Sequence, residues 1–271
     1  MLTTIRRLGF ASLLGALLLQ LPSVHADDAL TKVLAGPQRS EANRARDSYR
    51  HPAETLGFFG LRPDMTVVEI APGGGWYTEI LAPYLREKGK LYAAHFPADA
   101  TADYPKKSLA AFKAKLAADA GNYDRVILSE LAPPRPIAPA GSADLAVTFR
   151  NVHNWLEGEG EKAVFKAAFD ALKPGGVLGV VEHRAKPGTK REESLKSGYT
   201  AEQLVIDAAT AAGFVLEEKS EVNANPKDTK DYAKGVWTLP PSYAAGDADK
   251  AKYQAIGESD RMTLRFRKPK G

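Results

Sequence analysis

Apolar runs of strand length alternate along the chain with segments of helical period. They fall at 65–71 (MTVVEIA), 90–96 (KLYAAHF), 124–131 (DRVILSEL), 144–151 (DLAVTFRN), 176–183 (GVLGVVEH) and 214–222 (FVLEEKSEV), with a last run, RMTLRFRK, at 261–268. Nearly continuous apolar character marks strands buried on both faces, as in a parallel sheet covered by helices. Of the helical segments, 200–213 (TAEQLVIDAATAAG) carries Thr200 and Gln203 at capping-box spacing, a stripe through Leu204, Val205, Ala208 and Ala212, and Gly213 as a stop. The segment from Gly160 repeats the pattern with Phe165, Phe169 and Leu172 ahead of Pro174. An α/β, doubly wound, Rossmann-like sheet follows from this alternation. Two regions stand outside it. Residues 27–60 read as a helical segment, with Pro52 placed at a helix start. Residues 223–259 form a polar, punctuated insertion without clear period, too long for a tight turn and so expected to carry function.

The first apolar run leads through Glu69 and Ala71 into Pro72, Gly73, Gly74 and Gly75, and then into Trp76, Tyr77 and a helix. A strand, a glycine turn and a helix start form a nucleotide-binding crevice, because absent side chains let a ligand approach the backbone. A dinucleotide fingerprint using Gly73 and Gly75 needs a third glycine where Thr78 stands, and the Gly-Lys-Ser/Thr of a P-loop is absent.

The chain resembles the class I S-adenosylmethionine-dependent methyltransferases, whose first motif is an acid followed by G-x-G-x-G. Glu69, Ala71, Gly73 and Gly75 fall at those spacings, with alanine in place of the first glycine, and 172–183 (LKPGGVLGVVEH) is similar to the family's helix, turn and fifth strand. Residues 49–85 look more narrowly like small exported bacterial proteins classed as predicted methyltransferases. The resemblance covers about 52–222 plus the last strand. It implies a seven-stranded, mostly parallel sheet with an antiparallel last strand, and S-adenosyl-L-methionine as cofactor. Glu69 is then expected near the cofactor's amino-acid end, with the turn through Gly75 against its ribose and methionine parts. Further cofactor contacts are expected at Tyr77, Thr78, His95, Glu130, Arg150 and Asn151. One position departs from the family: the acid that usually bonds the ribose hydroxyls is replaced by His95, with Asp99 and Asp103 as possible substitutes.

Ligands of open parallel sheets bind beyond the carboxyl ends of the strands. His95, His153 and His183 fall at or just past such ends, and His51 opens the helix leading to the first strand. The segment FRNVHNW is similar to one that follows the fourth strand in plant-type and hydroxyindole O-methyltransferases, where the histidine is a general base. By that resemblance His153 is the candidate base, a task that the unperturbed pKa of histidine in general suits, and Glu182 is the candidate to orient it. His51, Trp76, His183 and Trp237 are the expected substrate pocket, and the 223–259 insertion its lid. A histidine–carboxylate metal site from His51, His95, His153, His183 and Glu182 matches no compact spacing, so no metal is expected. The alternative function is a non-catalytic periplasmic protein that holds another ligand in the same crevice.

Composition adds the address. Arg6 and Arg7 precede the 14-residue stretch LGFASLLGALLLQL, and Val-His-Ala closes at Ala26. This reads as a cleaved signal peptide over 1–26, too short to span a bilayer, with a periplasmic or secreted product of 27–271 and no stable membrane anchor after cleavage. The absence of cysteine excludes disulfides, thiolate nucleophiles and zinc–thiolate centres. Without the signal, 35 basic residues face 33 acidic ones, too balanced for a nucleic-acid partner; a small-molecule acceptor is expected instead.

Overall fold

Seven strands form one sheet in the order β3-β2-β1-β4-β5-β7-β6 in a computed structural model that describes residues 28–271. The signal expected at 1–26 lies outside the described residues. The strands are β1 (Thr66–Ile70), β2 (Lys90–His95), β3 (Val126–Glu130), β4 (Ala143–Phe149), β5 (Leu172–His183), β6 (Val215–Ser220) and β7 (Arg261–Arg267). All neighbours are parallel except β7, which runs antiparallel to both β5 and β6. The seven apolar runs of the sequence are these seven strands.

Successive strand residues point to opposite faces, and two apolar layers result. Val68, Ile70, Leu178 and Leu264 pack with Phe165, Val205 and Phe214 on one face. Val67, Leu145, Val147 and Val181 pack with Ile80, Leu81, Leu56 and Phe59 on the other. The helix Pro52–Phe58, with its proline in the first turn, precedes Phe59 on that second face. There Gly179 of β5 leaves room for the Phe59 ring, whose Cγ lies 2.6 Å from where a Cβ would stand. The 27–60 segment is helical in four short pieces, Asp28–Leu34, Glu41–Arg44, Asp47–Arg50 and Pro52–Phe58.

Two local expectations are corrected. The capping box at Thr200 does not form: Ala201 caps the helix Glu202–Ala211 without a side-chain bond, and the buried Thr200 hydroxyl has no partner. Thr200 instead extends the sheet edge, donating its N–H to His183 O at 2.8 Å and bridging to Arg184. Leu172 belongs not to the helix Gly160–Ala171 but to β5, of which it is the first residue. The 223–259 insertion contains the short helices Gly235–Thr238 and Lys250–Ile256, and its ends are pinned. Asp228 accepts from Tyr199 Oη at 2.9 Å, and Asp260, just past it, pairs with Arg184 and Lys230. Among the described residues no helix is long and apolar enough to cross a membrane.

Candidate active site at the carboxyl edge of the sheet

The glycine turn adopts a left-handed backbone at three alternating positions, Ala71 (φ 55°), Gly73 (φ 57°) and Gly75 (φ 78°). These are the three positions at which the motif places glycine. Alanine at 71 costs about 1–2 kcal/mol there. The strain is held by Ala71 N–H donating to Ala94 O at 2.9 Å and by Asn151 Nδ2 donating to Ala71 O at 3.0 Å. Open space lies beside Gly73 and Gly74, where a Cβ would meet nothing within 4 Å, whereas Gly75 is packed against Phe112 and Lys115. The turn therefore presents bare backbone to a cavity of about 220 Å³ lined by Ala71, Gly73, His95, Phe96, Tyr104, Leu131, Asn151, Asn154 and Trp155.

His95 is part of this cavity's wall, yet both its nitrogens are engaged within the chain. Phe96 N–H donates to Nδ1 at 2.8 Å, which leaves the proton on Nε2, and Nε2 donates to Gly73 O at 3.2 Å. Burial lowers its pKa further from the ordinary range, with the Gly73 carbonyl working against the shift. His95 is a neutral strut for the turn and has no donor or acceptor left for a ribose. The acids nearby are also committed. Arg135 pairs with Asp99 at 2.5 Å and with Glu130 at 2.7 Å, and Glu130 also accepts from Ala98 N–H; neither acid lines the cavity.

Glu69 lies sealed beneath the turn, accepting from Thr78 Oγ1 at 2.6 Å. Burial pushes its carboxyl up to about 7, against the Thr78 hydrogen bond and the charge of Lys115. An acid raised in the native state keeps its proton where the unfolded chain has lost it, so stability falls as pH rises through the interval from 4.5 to about 7. At roughly 1.4 kcal/mol per pKa unit the full effect is about 3 kcal/mol. Glu69→Gln should therefore gain on the parent as pH goes from 5 to 8 in urea melts. A difference that stays flat with pH would mean the carboxyl is not perturbed.

A second cavity, of about 130 Å³, is lined by other residues that follow β4. The adjacent residues Arg150 and Asn151 line different cavities, and so do His153 and Asn154 of the helix Val152–Trp155. The second cavity is formed by Arg150, His153, His183 and Ser259, and the insertion closes it with Val236, Trp237, Pro240, Pro241 and Ser242. Glu182, fully buried, accepts from the N–H groups of Val152, His153 and His183 and meets His153 Nδ1 at 2.9 Å. As an acceptor it places the His153 proton on Nδ1 and leaves Nε2 as the basic nitrogen. The indole of Trp237 stands edge-on to His153 with ring centres 6.1 Å apart. His183 meets Ser259 Oγ through Nδ1 at 2.5 Å. Burial, then the charges of His153 and three arginines, hold its pKa well below the usual value.

The remaining expected site residues lie elsewhere. Trp76 packs against the guanidinium groups of Arg39 and Arg50 and donates to Asn43 O at 3.1 Å, fastening the N-terminal segment. Tyr77 stacks on Phe149 with ring planes 9° apart. His51 forms the left-handed joint between two short helices and lines neither cavity. Of the five residues weighed as metal ligands, only His153, Glu182 and His183 come together. A larger cavity, about 250 Å³, opens at the opposite edge beside Met65 and Lys173, where Lys173 is paired with Asp144 at 2.6 Å.

No family model matches the chain, and no curated protein matches it. Among solved structures, the same fold is found in S-adenosylmethionine-dependent methyltransferases. A methyltransferase of this kind from Aquifex aeolicus is 17% identical, with 88% of this chain and 98% of that chain covered and a TM-score of 0.55. The geranyl diphosphate C-methyltransferase of Streptomyces coelicolor is 16% identical over 90% of this chain and 88% of its own, with a TM-score of 0.56. The [4+2]-cyclase SpnF is similar to the same degree, 19% identical over 89% of this chain and 92% of its own, TM-score 0.56. A cyclase with the same fold illustrates that the architecture alone does not specify the reaction.

Proposed function

We propose that the protein transfers a methyl group from S-adenosyl-L-methionine to a small-molecule acceptor, with His153 as general base. The observation that carries this reading is the three-position left-handed turn at 71, 73 and 75, open to one cavity, with His153, bonded to the buried Glu182, lining a second. When bound, the cofactor supplies a methyl group already activated on a sulfonium. The bare backbone at Gly73 and Gly74 would hold it, and Phe96, Tyr104, Leu131 and Trp155 offer an apolar slot suited to a flat ring. What the protein itself must do is align the acceptor and accept its proton, and the His153 Nε2 directed by Glu182 is equipped for that. The insertion serves as a wall of the acceptor cavity.

Export belongs to the same proposal. It rests on Arg6, Arg7, the apolar stretch and the Val-His-Ala site, and it separates the protein from the cytoplasmic supply of the cofactor. The second reading, a non-catalytic ligand-binding protein on the same fold, is favoured by one observation: His95 stands where a ribose-binding acid is usual and has both nitrogens occupied.

Isothermal calorimetry with S-adenosylmethionine and S-adenosylhomocysteine decides between them. Binding near micromolar Kd is expected, with Gly73→Arg, whose side chain would fill the open space beside the turn, weakening it at least about 100-fold, or roughly 3 kcal/mol. Absence of any heat with the folded parent protein would favour the second reading.

A further inference from the structure

The second cavity is built beside an excess of positive charge. Arg46, Arg50 and Arg261 converge on the single carboxylate of Glu258, at 2.6 Å from Arg46 Nε, 3.1 Å from Arg50 Nε and in direct contact with Arg261 Nη2. Their hydrogen-bonding capacity is not exhausted: Arg46 Nη2, Arg50 Nη2 and Arg261 Nε are buried without partners, and Arg50 is 3% exposed. Arg150 is the fourth member. Its left-handed backbone (φ 60°) is fixed by its N–H donating to Val181 O at 2.7 Å. Its guanidinium makes no hydrogen bond or ion pair among the described residues. It lies beside Arg50 and Arg261 around a void of about 10 Å³ and, on its other side, lines the cavity of His153, His183, Ser259 and Trp237. Register explains the place of Arg261, since β7 runs antiparallel and pairs it with His183 at the ligand edge.

We infer that this cavity is a site for a small organic anion, a carboxylate held by the Arg150 guanidinium, with Ser259 and His183 beside it. A planar guanidinium fork with no protein partner matches a carboxylate in both charge and geometry. The same surroundings disfavour a metal ion at His153, Glu182 and His183. Glu182 already accepts from three backbone N–H groups and from His153, and the nearest unpaired charge is cationic. That the anion is the methyl acceptor rests on the methyltransferase reading; the anion site itself does not.

The three tryptophans allow a test that needs no activity. Trp237 lines this cavity, Trp155 lines the one beside the glycine turn, and Trp76 lines neither. Benzoate, and benzamide as its neutral isostere, would be titrated into the purified, ¹⁵N-labelled protein while the three indole N–H resonances are followed. The expected result is a saturable shift of Trp237 with benzoate, none with benzamide, and loss of roughly tenfold or more in affinity in Arg150→Gln, with Arg150→Lys in between. Far-UV circular dichroism confirms that each variant is folded. Equal response to the two probes, a benzoate shift confined to Trp155, or undiminished affinity in folded Arg150→Gln would each overturn the inference. A Trp237 shift in a protein that binds no S-adenosylhomocysteine would uphold the anion site while removing methyl transfer as its purpose.

Discussion

Glu258→Ala is expected to destabilise the protein by about 3–5 kcal/mol, the range for removing one partner of a buried charge pair. Glu258 is 2% exposed and, among the described residues, is the one carboxylate in contact with Arg46, Arg50 and Arg261. Without it those guanidinium groups and Arg150 are left to repel one another in a low-dielectric region. The pH dependence has a definite sign. Burial alone would raise the Glu258 carboxyl, but Arg261, Arg50, Arg46 and Arg150 outweigh it and hold the pKa at about 2, below the ordinary 4.5. Its contribution is therefore fully present above pH 4.5 and is lost as pH falls from 4.5 toward 2. Urea denaturation at pH 7 and pH 3 measures both effects. A loss under about 1 kcal/mol at pH 7 would mean that the cluster is solvated rather than buried. The same cluster changes how the insertion must be probed. Excising 223–259 would remove Glu258 along with the cavity wall, so a point change at Trp237 separates lid from scaffold where a deletion cannot.

His153→Ala is expected to lower kcat for any acceptor by about 10²–10⁴-fold, the usual contribution of a positioned general base. Affinity for S-adenosylhomocysteine should change little, because His153 lines the second cavity and not the one beside the turn. Glu182→Gln should reproduce part of the loss, since an amide can present its N–H to Nδ1 and reverse the tautomer. Its three backbone N–H contacts make a thermal melt of that variant necessary alongside kinetics. Unaltered kcat in His153→Ala would reassign the histidine to packing against Trp237.

The strands and the turn were legible because their signals are local. The runs of β1, β4, β5 and β7 report burial of their own residues, whereas β3 and β6 stand at the sheet edges and are only partly covered, and Gly73 and Gly75 mark a turn whose left-handed backbone Ala71 shares at a cost. The His153–Glu182 pairing was also within reach, because adjacent strands β4 and β5 end side by side. What escaped depends on partners that spacing does not encode. His95 looked like a ligand group at a strand end, but its partners are the backbone atoms of Gly73 and Phe96. Trp76 follows the turn as a pocket wall would, yet it is claimed by Arg39 and Arg50 from the N-terminal segment. Thr200 and Gln203 had the right spacing for a cap, and the extension of the β5 edge through Arg184 took Thr200 instead. The arginine cluster gathers side chains from 46–50, 150 and 258–261, three segments far apart in sequence that meet only in the folded chain.

The most direct measurement is a crystal structure of the protein soaked with S-adenosylhomocysteine. The account predicts density for the whole ligand in the cavity of Gly73, Asn151 and Trp155, with the His95–Gly73 hydrogen bond intact and the Arg150 cavity free of it. Density for the ligand in the Arg150 cavity, or none in either cavity at saturating concentration, would contradict the assignment of the glycine turn to this cofactor.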